Sequence, residues 1–188
     1  MGKLDKYKGF AAGKGSLDVP AMYSGGIAWR FCDSATVAFD VQHYAWDGVR
    51  SLHNPLLHDG ELELLGSKHG PGFGFKNQTF YRFGVDYRIN CDWTVRAGYR
   101  YGNMPIRKSQ TVVNQLTLDT IESFFTCGAS YMVNDCNEIS ALFVYGFEKT
   151  IKGKNSIPPG PPPAGFGGGE SDLTARKLAV GLSWGWYY

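Results

Sequence analysis

The amino-acid sequence predicts an all-β fold, a transmembrane antiparallel β-barrel of the bacterial outer-membrane type with about seven strands. Three observations carry that expectation. Seven stretches alternate apolar and polar residues with a period of two. Very short links bearing Asn or Asp alternate with links of about 20 to 30 residues, and the chain ends on the aromatic run SWGWYY. Short turns at one rim and long loops at the other are the pattern of such barrels, whose short turns lie on the periplasmic side.

The strands are expected at residues 20–31, 34–46, 75–89, 93–102, 121–133, 137–149 and 172–188. The links Cys32–Asp33, Asn90–Cys91–Asp92 and Asn134–Asp135–Cys136 use residues that form tight turns through their own side chains. In the second strand Thr36, Ala38, Asp40, Gln42 and Tyr44 share a face, opposite Val37, Phe39, Val41, His43 and Ala45. His43 is the misfit there, expected near lipid headgroups or past a register change. The third strand sets Tyr81, Phe83, Val85, Tyr87 and Ile89 against Phe80, Arg82, Gly84, Asp86 and Arg88. The fourth sets Trp93, Val95, Ala97, Tyr99 and Tyr101 against Thr94, Arg96, Gly98 and Arg100. In the last strand Leu178, Val180, Leu182, Trp184, Trp186 and Tyr188 oppose Lys177, Ala179, Gly181, Ser183, Gly185 and Tyr187. A face of arginines and an aspartate cannot enter an apolar core without partners, whereas facing a wet lumen costs it little.

Composition narrows the function classes. The net charge is +2 and the Lys and Arg residues are scattered, so no basic stripe marks a nucleic-acid surface. No apolar run reaches the length of a transmembrane helix, so membrane entry would have to be by strands. The first twenty residues carry lysines with no apolar stretch after them and are not read as a secretory signal. Cys32, Cys91, Cys127 and Cys136 form no CxxC pair and have no His at zinc-like spacing, so neither a metal site nor a cofactor is expected. They read as isolated small residues. The sharper alternative is a periplasmic disulfide, since three of them sit at turns. With no GxSxG elbow and no HExxH helix the chain is not read as an enzyme. A soluble β-rich binding or structural module would also alternate, but it leaves the terminal aromatic run without a reason.

The long links differ in character. Residues 1–19 read as an external segment, and 47–74, 103–120 and 150–171 as long extracellular loops. The first loop holds NPLL and GPGFG. The second is rich in apolar residues expected to fold back over the mouth, and the third contains the polyproline-like SIPPGPPPAGFGGGE.

Several segments in order carry a resemblance: DKYKGFAAGKGSLDVPAMYSGGIAWRF, TVAFDVQHYAW, LGSKHGPGFGFKNQTFYRFGVDYRI, WTVRAGYRYGNMPI and LAVGLSWGWYY. Together they resemble the C-terminal half of the FadL/TodX (OMPP1) family, outer-membrane channels for long-chain fatty acids and aromatic hydrocarbons. The resemblance implies half of a fourteen-stranded barrel over residues 1–188 as a single domain, either as part of a barrel or as an open curved sheet. The family's N-terminal hatch and first strands have no counterpart, so a truncated copy, a split gene product or a start at an internal Met is expected. The implied function is uptake of fatty acids or aromatic hydrocarbons by passive diffusion, with an inactive barrel fragment as the alternative. A hydrophobic ligand would then meet Leu56, Leu57, Phe73 and Phe75 in one loop and Met104, Ile106, Val112, Val113, Leu116 and Leu118 in the next. Arg82, Arg96 and Arg100 would offer positive charge from the wall, balanced by Asp40 and Asp86. The implied location is the outer membrane. The implied partners are its lipids, the hydrophobic ligand and a second copy joined through the open sheet edges, which would bring the strand count to fourteen.

Overall fold

The structure, a computed structural model, describes residues 18–63, 67–117, 120–161 and 165–187. Most of the expected external segment, part of the proline-rich loop, Leu118 and Tyr188 lie outside the described residues. All seven expected strands form, within a few residues of their expected bounds. They are β1 (Ala21–Cys32), β2 (Ala35–Ala45), β3 (Gln78–Arg88), β4 (Trp93–Gly102), β5 (Ser123–Asn134), β6 (Asn137–Ile151) and β7 (Leu173–Trp186). Each pairs antiparallel with the next, giving one sheet in chain order.

The short turns set the register, and they do so with side chains. Asn90 Oδ1 accepts hydrogen bonds from the backbone N–H of Asp92 at 3.0 Å and of Trp93 at 2.8 Å. Asn134 Oδ1 likewise accepts from the N–H of Cys136 at 3.0 Å and from Asn137 Nδ2 at 2.9 Å. These replace ladder bonds that a tight reversal cannot make. With register held, residues of one face line up across strands. Ile27, Phe39, Phe83, Tyr99, Phe125, Tyr145 and Leu178 form one continuous row through all seven strands. Next to it run Trp29, Val37, Val85, Ala97, Cys127, Phe143 and Val180. The opposite face carries Asp40 beside Arg82, Arg82 beside Arg100, and Asp86 beside Arg96. His43 stays on the apolar face, and its Nδ1 lies 2.9 Å from Thr79 Oγ1, its register partner, so a polar neighbour answers the misfit and no register change is needed.

The expected barrel does not form. Among the described residues β1 pairs only with β2 and β7 only with β6, and the sheet is neither closed nor strongly curled. The reason lies in the strand count. An up-and-down meander with an odd number of strands leaves its first and last strands parallel, so the antiparallel ladder used at every other seam is not available to join β1 to β7. Closure removes sheet edges, and here both edges stay open.

The three long connections all fall at one rim, as the meander requires. They contain short helical pieces, at Trp46–Gly48, Arg50–His53, Lys108–Gln110 and Val113–Leu116. The buried apolar cluster sits among these connections and the strand ends that meet them, not between two layers. Asn90→Ala should therefore lower stability by about 1 kcal/mol through loss of two turn bonds. Urea unfolding of the refolded chain in detergent should show it as a lower midpoint with an unchanged slope.

Candidate functional site

Two surfaces compete for a functional role: the cluster at the long-loop rim and the polar face of the sheet. The cluster begins with the turn Arg50–His53, whose carbonyls capture the strand-like segment after it. Phe75 N–H donates to Leu52 O at 2.8 Å, Gly74 N–H to Asn54 O at 2.8 Å, and His53 Nδ1 lies 2.8 Å from Phe75 O. Gly74 makes this path feasible. Its φ is +67°, and a Cβ there would lie 2.5 Å from Gln110 Cγ. The result delivers Phe75 into a buried group with Ile106, Ile151 and Leu173, flanked by Trp46, Leu52, Phe73 and Met104. Phe75 packs edge-on against Trp46 and stacks on Phe73, with ring centroids 5.4 and 5.8 Å apart.

Of the loop residues singled out from the sequence, Phe73, Phe75, Met104 and Ile106 are thus brought together. Leu56 and Leu57 are half-buried outside that cluster, and Leu116 is 81% exposed. The sequence reading missed Trp46, Leu52, Ile151 and Leu173. It also missed the polar anchors of the second loop, where Val112 and Val113 are only half-buried. Asn114 and Thr111 are fully buried. Asn114 Nδ2 donates to Phe73 O at 2.7 Å and Gln110 O at 2.8 Å, Thr111 Oγ1 donates to Ser171 O at 2.5 Å, and Gln110 Oε1 accepts from Leu56 N–H at 2.8 Å. One loop therefore ties all three long connections together.

On the polar face the three arginines occupy the places their alternation assigned. Arg82 Nη1 lies 3.7 Å from Asp40 Oδ1, and its Nη2 also donates to Gln42. Arg96 Nε is 2.8 Å from Asp86 Oδ2 and its Nη1 donates to Ser130 Oγ at 2.8 Å. Ser130 is joined to Ser140 at 2.7 Å, Ser140 donates to Glu138 at 2.7 Å, and the Tyr187 hydroxyl donates to Glu138 at 3.1 Å. This chain of polar groups crosses four strands, β3 to β6, and ends at Tyr187 just beyond β7. The hydrogen bond and negative charge of Glu138 hold the phenol of Tyr187, just past β7, above its ordinary pKa. Arg100 lies between two rings, 4.5 Å from the centroid of Phe80 and 4.3 Å from that of Phe124. The ion pairs are about half exposed, so each contributes on the order of 0–1 kcal/mol and mainly orients its partners.

Two shallow hollows lie on this face. One of about 630 Å³ spans from Thr36 to Ser183 over a floor of Gly84, Gly98, Gly128 and Gly181, with Arg96 at its border. The other, about 380 Å³, is lined by Arg82, Arg100 and Phe124. Neither reaches the loop cluster, so the apolar and cationic residues named from the sequence form separate groups. No helix among the described residues is long and apolar enough to cross a membrane. Also among the described residues, no group of His, Cys, Asp or Glu could hold a metal ion, and the four cysteines are free thiols.

The apolar face completes the description. Ile27, Trp29, Val180, Leu182 and Trp184 are each 70% exposed or more. Aromatic residues concentrate in rows toward its two ends: Trp93, Tyr131 and Trp184 near the short turns, and Phe39, Phe83, Tyr99, Phe125 and Tyr145, with Tyr81 and Tyr101 beyond them, toward the long loops. The two rows between them are mainly small or aliphatic, with Val37, Val85, Ala97, Val180, Val95, Ala129, Ala141 and Leu182, and hold three aromatics, Trp29, Phe143 and Tyr87. An aliphatic belt between two aromatic bands, backed by a charged face, defines a membrane-type antiparallel β-sheet protein. The chain belongs to the family of outer membrane protein transport proteins (OMPP1/FadL/TodX), whose family model matches residues 5–169. That is a family of passive channels, not of enzymes. No curated protein matches the chain. Among solved structures it is similar to the toluene transporter TbuX of Ralstonia pickettii, at 18% identity and a TM-score of 0.55, covering 90% of this chain and 34% of that one. It is also similar to a FadL homologue of Pseudomonas aeruginosa, at 17% identity and a TM-score of 0.60, covering 89% of this chain and 35% of that one. A TodX deltaS2S3 mutant, a monoaromatic hydrocarbon channel, gives 16% identity, a TM-score of 0.58 and coverage of 92% and 36%. The chain thus spans about a third of the length of these structures.

Replacing Asn114 by Leu would leave the carbonyls of Phe73 and Gln110 without their buried donor, at a cost of about 2–3 kcal/mol. Limited proteolysis should then cut the long loops faster while the strands stay protected.

Proposed function

We propose that this chain is a wall-forming sheet of an outer-membrane transport protein for hydrophobic compounds and that it does not conduct in the open form seen here. The observation that carries this reading is the combination of one mainly apolar and one mainly charged face with two edges unpaired among the described residues. The apolar face is far too large and continuous for a surface left in water, and its banding suits the acyl region with aromatics at both interfaces. Along β4, Trp93 to Tyr101 extends about 27 Å, which at a tilt of about 40° covers about 20 Å of membrane thickness. The polar face then borders the transport path, and the long loops point outward.

In this reading the chain corresponds to the C-terminal part of the family's wall. Its ligands are hydrophobic molecules such as long-chain fatty acids or aromatic hydrocarbons, the latter in keeping with the toluene and monoaromatic channels it is similar to. Phe73, Phe75, Met104 and Ile106 form the apolar patch at the outer rim, with Leu56, Leu57 and Leu116 nearby, and Arg82, Arg96 and Arg100 supply the cationic wall. Transport requires strands that cover both edges, because unpaired backbone groups cannot face lipid. Those strands must run opposite to β1 and β7. A second copy in the same membrane orientation offers a parallel edge instead, so a partner of opposite strand direction fits the edges better than the chain itself.

The test is reconstitution of the full chain in vesicles whose acyl chains carry bromine. Trp29, Trp93, Trp184 and Trp186 all lie on the apolar face, so tryptophan emission should be strongly quenched, with no ion conductance and no uptake of labelled toluene or fatty acid. Stable conductance or saturable uptake by the chain alone would disprove the non-conducting reading. Unquenched emission would instead favour a soluble module.

A further inference from the structure

Beside the loop cluster lies a cleft of about 800 Å³ in which cationic side chains gather from three separate connections. Lys76 comes from the segment before β3, Arg107 and Lys108 from the β4–β5 loop, and Lys149, Lys152 and Lys154 from the end of β6 and the loop after it. Backbone bonds lock these segments side by side. Lys76 N–H donates to Pro105 O at 2.8 Å and Lys154 N–H to Lys108 O at 3.0 Å. Gly153 pins the last segment from within. Its N–H donates to Asp172 Oδ1 at 2.9 Å, and a Cβ at this buried position would collide with Ser171 O. Ile151 and Gly153 are therefore held inward while Lys152 and Lys154 are exposed.

The charge of the cleft is poorly balanced. It contains one carboxylate, Glu122, which is taken by Lys149 at 2.7 Å. Arg107 Nε is buried and has no hydrogen-bond partner. Gathering like charges is unfavourable unless an anion answers them, and a single carboxylate would leave most of these cations unmatched. Met104, Ile106 and Ile151 also line the cleft, placing an apolar wall beside the cations.

We propose that this cleft binds a multiply charged phosphoryl group. Several ammonium groups and a guanidinium suit an anion with three acceptor oxygens per phosphate, and the apolar wall allows that group to be carried on an amphiphile. At a rim pointing outward, the phosphorylated headgroup of an outer-leaflet glycolipid is one source, and that identification rests on the membrane orientation given above. A soluble polyphosphate is the other source, and its binding needs no membrane.

The experiment uses the full chain refolded in zwitterionic detergent, titrated with inorganic pyrophosphate, and in parallel offered to phosphatidylcholine vesicles with or without a bis-phosphorylated glycolipid. Binding should weaken as salt is raised. The quadruple change Lys76→Gln, Lys108→Gln, Lys152→Gln and Lys154→Gln should weaken it by about tenfold or more, while Arg30→Gln with Arg88→Gln at the opposite rim should leave it unchanged. If the quadruple variant loses its β-sheet circular dichroism, Lys152→Gln with Lys154→Gln alone should still weaken binding several-fold. Pyrophosphate binding without preference for the glycolipid vesicles supports a soluble source and counts against the orientation alone. Preference for glycolipid vesicles without pyrophosphate binding supports the lipid source. No binding in either arm, or equal weakening by the cleft and opposite-rim variants, overturns the proposal.

Discussion

The register of the antiparallel ladder is the constraint on which the rest of this structure depends. Side chains alternate with a period of two, so a slip of one residue between neighbouring strands would exchange the faces of everything beyond it. That no slip occurs across the row from Ile27 to Leu178 is what separates an apolar belt from a charged face. Asn90 and Asn134 enforce it at the turns, while the irregularities between Arg30 and Cys32 and between Met132 and Asn134 fall beside the turns, where little of either face is left to disturb. The irregularity between Gly146 and Lys149 lies toward the long-loop rim. Beyond it the register sets Ile151 against Leu173, two members of the buried cluster. A local break in pairing thus occurs where the wall gives way to the loops.

The two faces solve different problems with different chemistry. On the apolar face most side chains need no specific partner, His43 with Thr79 and Trp184 with Asn137 being exceptions, and exposure is favourable once lipid replaces water. The polar face cannot use that option. Each of Arg82 and Arg96 is given a carboxylate across one seam and a neutral acceptor, so that no guanidinium depends on one exposed ion pair. Arg100 rests between the rings of Phe80 and Phe124, which help to orient it.

How far the sequence disclosed this depends on the range of the interaction. Period-two alternation is local, so the strands, both faces and the positions of Arg82, Arg96 and Arg100 were all legible. The turns were legible for the same reason, since Asn acts on residues two or three places along the chain. The loop cluster was legible in part. Phe73, Phe75, Met104 and Ile106 announced themselves as apolar residues in or beside long links, but Ile151 fell within an expected loop and Leu173 at a strand end, and their pairing depends on a bulge that alternation cannot reveal. Gln110, Thr111 and Asn114 were missed because a polar residue in a loop reads as solvated until the carbonyl it satisfies is known. Leu116 stays exposed, since hydrophobicity alone does not select a side chain for burial. The barrel was the largest error, because alternation and loop lengths are the same in a closed wall and in an open one.

The open edges then set what the sheet can do. In water β1 and β7 would be templates for pairing, and in lipid each of their outward N–H and C=O groups would cost free energy until another strand took it up. Strand direction limits what can take it up. β1 and β7 both run from the long-loop rim to the short-turn rim, so an antiparallel partner must bring two edges that both run the other way. Two copies related by a rotation about the membrane normal cannot do so. Two copies related by an in-plane rotation could, but their long loops would then point to opposite sides of the membrane, together with the cationic cleft and the apolar cluster. The asymmetry of the rims and the oddness of the strand count therefore exclude the same arrangements, and they leave a sheet of different sequence and opposite strand direction as the complement that keeps every ladder antiparallel and every long loop on one side.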